Sequence, residues 1–234
     1  MDNLARPDFG IGLGGTLVRL VGTDGSGAIT APMQKFLNDS RNIRDLRSSV
    51  KTIRPALIAD IAHFMCISHG RLPGVVDHAA SKIVDEAARV WLLRAIEGFS
   101  AERALLNQLT VAAGPIRRLV GQDKISALLA NQSKSFEMLA TSDRNGCPAG
   151  AAIAFVLDWQ ASRGLLDHAA LALGIEPPKI TLPDIQMSEN LANDLGATEA
   201  QKRAMLFGAQ QLLAQQRGLW QLIAARHAEM SNLH

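Results

Sequence analysis

Tyrosine is absent from this chain, and the remaining aromatic residues fill only 4% of its 234 positions. Proteins that hold single-stranded nucleic acid by stacking need aromatic faces, and few are on offer here. Strong charge of one sign is missing too. Lys and Arg number 24 against 22 Asp and Glu, a formal net charge of +2, so the bulk attraction that binds basic proteins to phosphate backbones is weak. These absences disfavour a nucleic-acid partner. Cysteine occurs only at Cys66 and Cys147, too far apart and too few for zinc-ligand spacing. They read as reduced, buried thiols of a cytoplasmic protein. There is no long apolar run. The most apolar stretch, AGAAIAFVL at 149–157, is stopped by Asp158, far short of the roughly 18 to 20 residues a membrane helix needs. The opening MDNLARPDFGIGLGG lacks a basic region followed by an apolar core, so no signal peptide is read.

What is present is helical periodicity. A hydrophobic fraction of 47% supports a folded core. Residues 1–30 form a Gly-rich N-terminal segment, in which TLVRLV, GTDGSG and AIT suggest a short hairpin or a tail. GIGLGG precedes a strand-like stretch rather than a helix N-terminus, which argues against a dinucleotide loop. Residues 31–234 read as a single all-α domain. The expected helices cover 33–50 behind Pro32, 54–68, 74–97, a segment from Ser100 to about 112, then 122–140, 148–173, 184–194 and 198–229. The fold class is an all-α bundle of seven or eight helices, with the helix at 148–173 at its centre.

Two segments echo one another, GVVDHAA at 74–80 and GLLDHAA at 164–170. Adjacent residues on a helix point about 100° apart, so neither Asp77-His78 nor Asp167-His168 can chelate one ion alone. The Arg163–Asp167 spacing of four permits an intrahelical ion pair, and Asp77 falls in a first turn, where the helix dipole welcomes a carboxylate. The repeat reads as helix-packing punctuation. The better chelating spacing is Asp60-Ile-Ala-His63, a carboxylate and an imidazole three residues apart. A metal site of the kind found in di-iron bundles would need Asp60 and His63 joined by at least two of His78, Glu97, Asp167 and His168. Cys66 lies within reach of His63 and His69, but its neighbours are apolar, which makes a thiol inert. Arg41, Arg44, Arg47, Lys51 and Arg54 would form a basic stripe on a helix, read here as a solvated face.

Three stretches, HGRLPGVVDHAA (69–80), GAAIAFVLDWQ (150–160) and FGAQQLLAQQRGLWQLI (207–223), together resemble an uncharacterised all-helical family of sphingomonad-type alphaproteobacteria. The resemblance implies a bacterial cytoplasmic protein and carries no activity. The functional expectation is a non-catalytic module that binds a partner protein or an apolar small ligand, with self-association left open and no cofactor assigned. The alternative is a metal-dependent, di-iron-like bundle oxidoreductase.

Overall fold

A computed structural model describes residues 12–31, 55–116 and 122–232. Pro32, the helix expected at 33–50 and the basic stripe at 41–54 lie outside the described residues. Within them the chain forms α1 (Leu13–Asp24), α2 (Pro55–His69), α3 (Val75–Ala80), α4 (Glu86–Ala113), α5 (Gln122–Ala140), α6 (Cys147–Ala172), α7 (Ile185–Leu195) and α8 (Glu199–Asn232). No strand occurs among the described residues, and none of their helices is long and apolar enough to cross a membrane. The fold is an all-α multi-helix bundle.

Local chemistry explains most boundaries. Asp85 caps α4 by accepting from the Ala87 N–H at 2.8 Å, and Asp184 caps α7 through the Met187 N–H at 2.8 Å. At the start of α8, Thr198 Oγ1 accepts from the Gln201 N–H at 3.2 Å while Gln201 Oε1 accepts from the Thr198 N–H at 3.0 Å, a reciprocal cap. α4 ends at Gly114, whose φ of 71° suits a residue without a side chain.

Three expectations need correction. Residues 13–24 form α1 rather than a hairpin or a tail, because Leu13, Leu17 and Val21 recur at helical spacing and are buried. Helix α1 packs on α7 and α8, so this segment belongs to the bundle. The single helix expected over 74–97 is broken at 81–85, where Asp85 supplies a fresh N-cap. The break resets the helical phase, so Val90 and Leu93 are exposed and the buried stripe of α4 is Ala88, Trp91, Leu92, Ala95 and Phe99. No break occurs at 97–102. Gly98 lies under Leu182 of the 175–183 loop, and the Ser100 hydroxyl donates back to the Ile96 carbonyl at 3.3 Å instead of capping a new helix.

Helix α6 is the centre, as its near-continuous apolar sequence suggests, and its most extensive contact is with α8. Two glycines permit that contact. A Cβ on Gly150 of α6 would be driven into the Met205 carbonyl oxygen, and one on Gly208 of α8 into the Cys147 carbonyl oxygen. Neither obstacle is a side-chain tip that could swing aside. Gly150→Ala is therefore expected to destabilise the fold by about 1–3 kcal/mol, although alanine favours a helix. Gly218→Ala, where nothing lies within 4 Å of the added Cβ, is expected to stabilise by about 0.5–1 kcal/mol. Urea unfolding midpoints of the two variants check the opposite signs.

Candidate functional site

The residues singled out by spacing are held by separate partners. Asp60 of α2 is buried, and its Oδ1 accepts from Arg226 Nε of α8 at 2.9 Å. The Arg226 guanidinium also lies over the Phe64 ring, 5.7 Å from its centroid. Burial pushes the Asp60 carboxyl up in pKa, with Arg226 opposing. His63 Nε2 meets the Gly114 carbonyl at 2.7 Å and so finishes the end of α4. Glu97 is exposed on α4, while His78 and His168 are half-buried on α3 and α6. Among the described residues, no three His, Cys, Asp or Glu side chains are grouped to hold a metal. Cys66 turns to Asn107 of α4, with Sγ 3.6 Å from Oδ1.

Each Asp of the repeated Asp-His pair holds an arginine. Asp77 Oδ2 accepts from the Gly74 N–H at 2.8 Å and from Arg103 Nη1 of α4 at 3.2 Å. Asp167 pairs with Arg163, four residues before it. Arg163 is itself buried, with Nε on Glu102 Oε2 at 2.7 Å and Nη2 on the Pro178 carbonyl at 3.0 Å. Trp159 Nε1 donates to the same Glu102 oxygen at 2.9 Å. That cluster ties α4, α6 and the loop after α6 together, with one guanidinium shared between two carboxylates.

A different group of polar residues lies at the heart of the bundle. Asp158 of α6 has 0% exposure and accepts from the Ser26 N–H at 2.7 Å and from the Ser26 hydroxyl. Gly25 clears the space for that approach, since a Cβ there would strike Asp158 Oδ1. The Gln216 side chain of α8 is a further hydrogen-bond partner of Asp158. At its other end, Gln216 Oε1 meets His69 Nε2 at 2.9 Å. An amide oxygen can only accept, and it is Oε1 of Gln216 that faces His69. His69 Nε2 must then carry the proton, and Nδ1 keeps its lone pair.

His69 is the last residue of α2 and is 7% exposed. Its ring sits among Phe136, Phe155 and Trp159, with centroids 5.2, 5.1 and 5.6 Å away. Burial pushes its pKa down to about 4, against the raising effect of Gln216. Burial pushes Asp158 up to about 7, against the lowering effect of Ser26 and Gln216. His69 also lines a cavity of about 660 Å³ formed with α3, α4, α5 and α6. Phe99 and Phe155 stack across its inner wall with centroids 4.7 Å apart. The size is within the usual range for small-molecule sites.

A comparison with protein-family models matches residues 37–230. The chain belongs to DUF6975, a family of unknown function. No curated protein and no solved structure matches it. His69, Asp158 and Gln216 fall within the residues matched to DUF6975, whereas Ser26 precedes them. In the sequence, His69 stands out only as a neighbour of Cys66, and Asp158 only as the end of an apolar run. The one available signal is the placement of a carboxylate inside AGAAIAFVLDW, where a buried charge requires partners from elsewhere.

Opposite pKa shifts give opposite pH dependences. The folded His69 titrates near 4 and an unfolded one near 6.5, so its contribution is full above 6.5 and is lost as pH falls toward 4. The folded Asp158 titrates near 7 and an unfolded one near 3.8, so its contribution is full below 3.8 and is lost as pH rises through 7. Between about pH 4 and 6.5 the two slopes cancel. Asp158→Asn keeps the shape and removes one of them. Its unfolding free energy is expected to fall by about 3 kcal/mol from pH 6.5 to 4 relative to the parent protein. Urea titrations at half-unit pH steps measure this, and parallel profiles for the two proteins would contradict it.

Proposed function

We propose that this chain is a non-catalytic helical module that binds an apolar small molecule in the cavity beside His69. The observation that carries the reading is His69 itself, a nearly buried imidazole whose Nε2 is held by Gln216 while Nδ1 has no hydrogen-bond partner among the described residues. Nδ1 is not sealed from solvent, so it offers a solvated acceptor lone pair within an aromatic wall. A ligand O–H or N–H would meet it. The ring's tautomer is set in advance by Gln216 Oε1, so little is lost in ordering the site when a ligand enters.

Acid–base catalysis fits the same geometry less well. A group titrating near 4 is protonated in roughly one molecule per thousand at neutral pH, and as a base it is far from the strength that proton abstraction favours. His69 is suited to accepting a hydrogen bond. The family resemblance carried by the sequence and the two free thiols support a bacterial, cytoplasmic setting for such a module.

The probe N-phenyl-1-naphthylamine, which is apolar, carries one N–H and fluoresces when it leaves water, tests the reading. Saturable, one-to-one enhancement is expected with the parent protein. Ala130 lies on the exposed side of α5 and lines the cavity, so Ala130→Trp fills the space without entering the core. The variant is expected to melt like the parent and to bind the probe at least tenfold more weakly. Unchanged binding in a folded Ala130→Trp protein would sink the reading.

A further inference from the structure

The charged residues of the cavity are not balanced. Arg71, Arg103 and Lys134 line it, and Glu137 is the carboxylate among the lining residues. Arg71, Lys134 and Glu137 are at the rim, whereas Arg103 of α4 is 8% exposed and points inward from beside Phe99. The Arg103 guanidinium makes one hydrogen bond, from Nη1 to Asp77 Oδ2 at 3.2 Å. Its Nε and Nη2 donors have no hydrogen-bond partner among the described residues, and neither is sealed away from solvent. A nearly buried guanidinium with most of its donors unspent, facing a cavity, is a built receptor for an oxyanion.

We propose that the ligand of this cavity is a small amphipathic carboxylic acid. Its carboxylate docks on Arg103, and its apolar body lies along Phe99, Phe136 and Phe155. This rests on the cavity reading above and adds the chemical class of the ligand. Charge balance favours a single negative charge. Asp77 already offsets part of Arg103, and Glu137 offsets part of the rim, so a doubly charged phosphate would meet less than its own charge in return. Arg103 is only 8% exposed, so one well-placed carboxylate there is worth more than it would be at the open surface.

The inference predicts discrimination between molecules that differ only in the headgroup. Decanoate and 1-decanol, each titrated below its aggregation threshold, compete with N-phenyl-1-naphthylamine for the protein. Decanoate is expected to displace the probe at a concentration at least tenfold lower than decanol. Arg103→Gln should erase that preference while leaving probe binding and displacement by decanol unchanged, which also shows that the variant is folded. Asp77→Asn keeps an acceptor for the Gly74 N–H and frees Arg103 of its counter-charge, so it should strengthen displacement by decanoate several-fold and leave decanol alone. If the probe binds and the two competitors act equally, or if Arg103→Gln keeps the preference, the carboxylate assignment is overturned and the cavity reading survives. If the probe does not bind the parent protein at all, the cavity reading fails and this inference with it.

Discussion

Everything at the centre of this protein depends on how closely α6 and α8 approach. Gly146 and Gly150 lie against the backbone of α8 at Gln201 and Met205, and Gly208 lies against Cys147. The contacts at 146–201, 150–205 and 158–216 advance together along both helices, so the two run parallel. Eight residues on from Gly150 is Asp158, and eight on from Gly208 is Gln216. At 1.5 Å per residue both travel about 12 Å from the glycine contact, and they arrive side by side. The close approach is what allows a glutamine on one helix to bridge an aspartate on its neighbour and a histidine on a third. Wider spacing would leave Asp158 buried with Ser26 alone.

That dependence explains the unequal legibility of the chain. The bounds of α2, α5, α6 and α7 are readable because Pro55, the TSDRNG loop, LGIEPPK and Asp184 are local signals, and local signals act on their own neighbours. The 81–85 break escapes a sequence reading because SKIVD contains neither Gly nor Pro, and the decision there rests on one Asp cap that also suits a mid-helix position. The first helix escapes it because Gly14, Gly15 and Gly22 dilute its apolar stripe. Gly14 is there for contact with the backbone of Glu189, a partner that no window of sequence includes. The polar chain through the core is the least legible. Its links join positions 132 and 147 residues apart, and neither a Ser nor a Gln draws notice on a helix.

Spacing along a helix does not by itself say which partner a charged residue meets. Asp60 and His63 have the interval that two ligands of one ion would need, yet an arginine from α8 faces one and a backbone carbonyl the other. Asp77 and Asp167 each hold an arginine as well. Among the described residues, Asp60, Glu102 and Asp158 each lie beside a guanidinium or a hydroxyl supplied by another element, which is how apolar interiors retain charge. The pairing of Asp60 with Arg226, both 1% exposed in their side chains, puts a fixed positive charge against Oδ1, while Oδ2 is buried without a hydrogen-bond partner.

The two buried arginines of α4 and α6 differ in a way that separates structure from function. Arg163 binds a carboxylate at Nε, another at Nη1 and a carbonyl at Nη2. Every face of that guanidinium is used, so it has nothing left for a ligand and serves to join helices. Arg103 is almost as deeply placed but makes a single, longer contact, and it borders open volume. The free Arg103 donors are not sealed from solvent, so they remain available to an anion that displaces water from them. His69 is in the same condition on the opposite chemical side, with a fixed lone pair instead of free donors. Under the proposed reading, an available acceptor and an available cation on one cavity, with the stacked Phe99 and Phe155 rings beside them, would suit an amphipathic carboxylic acid.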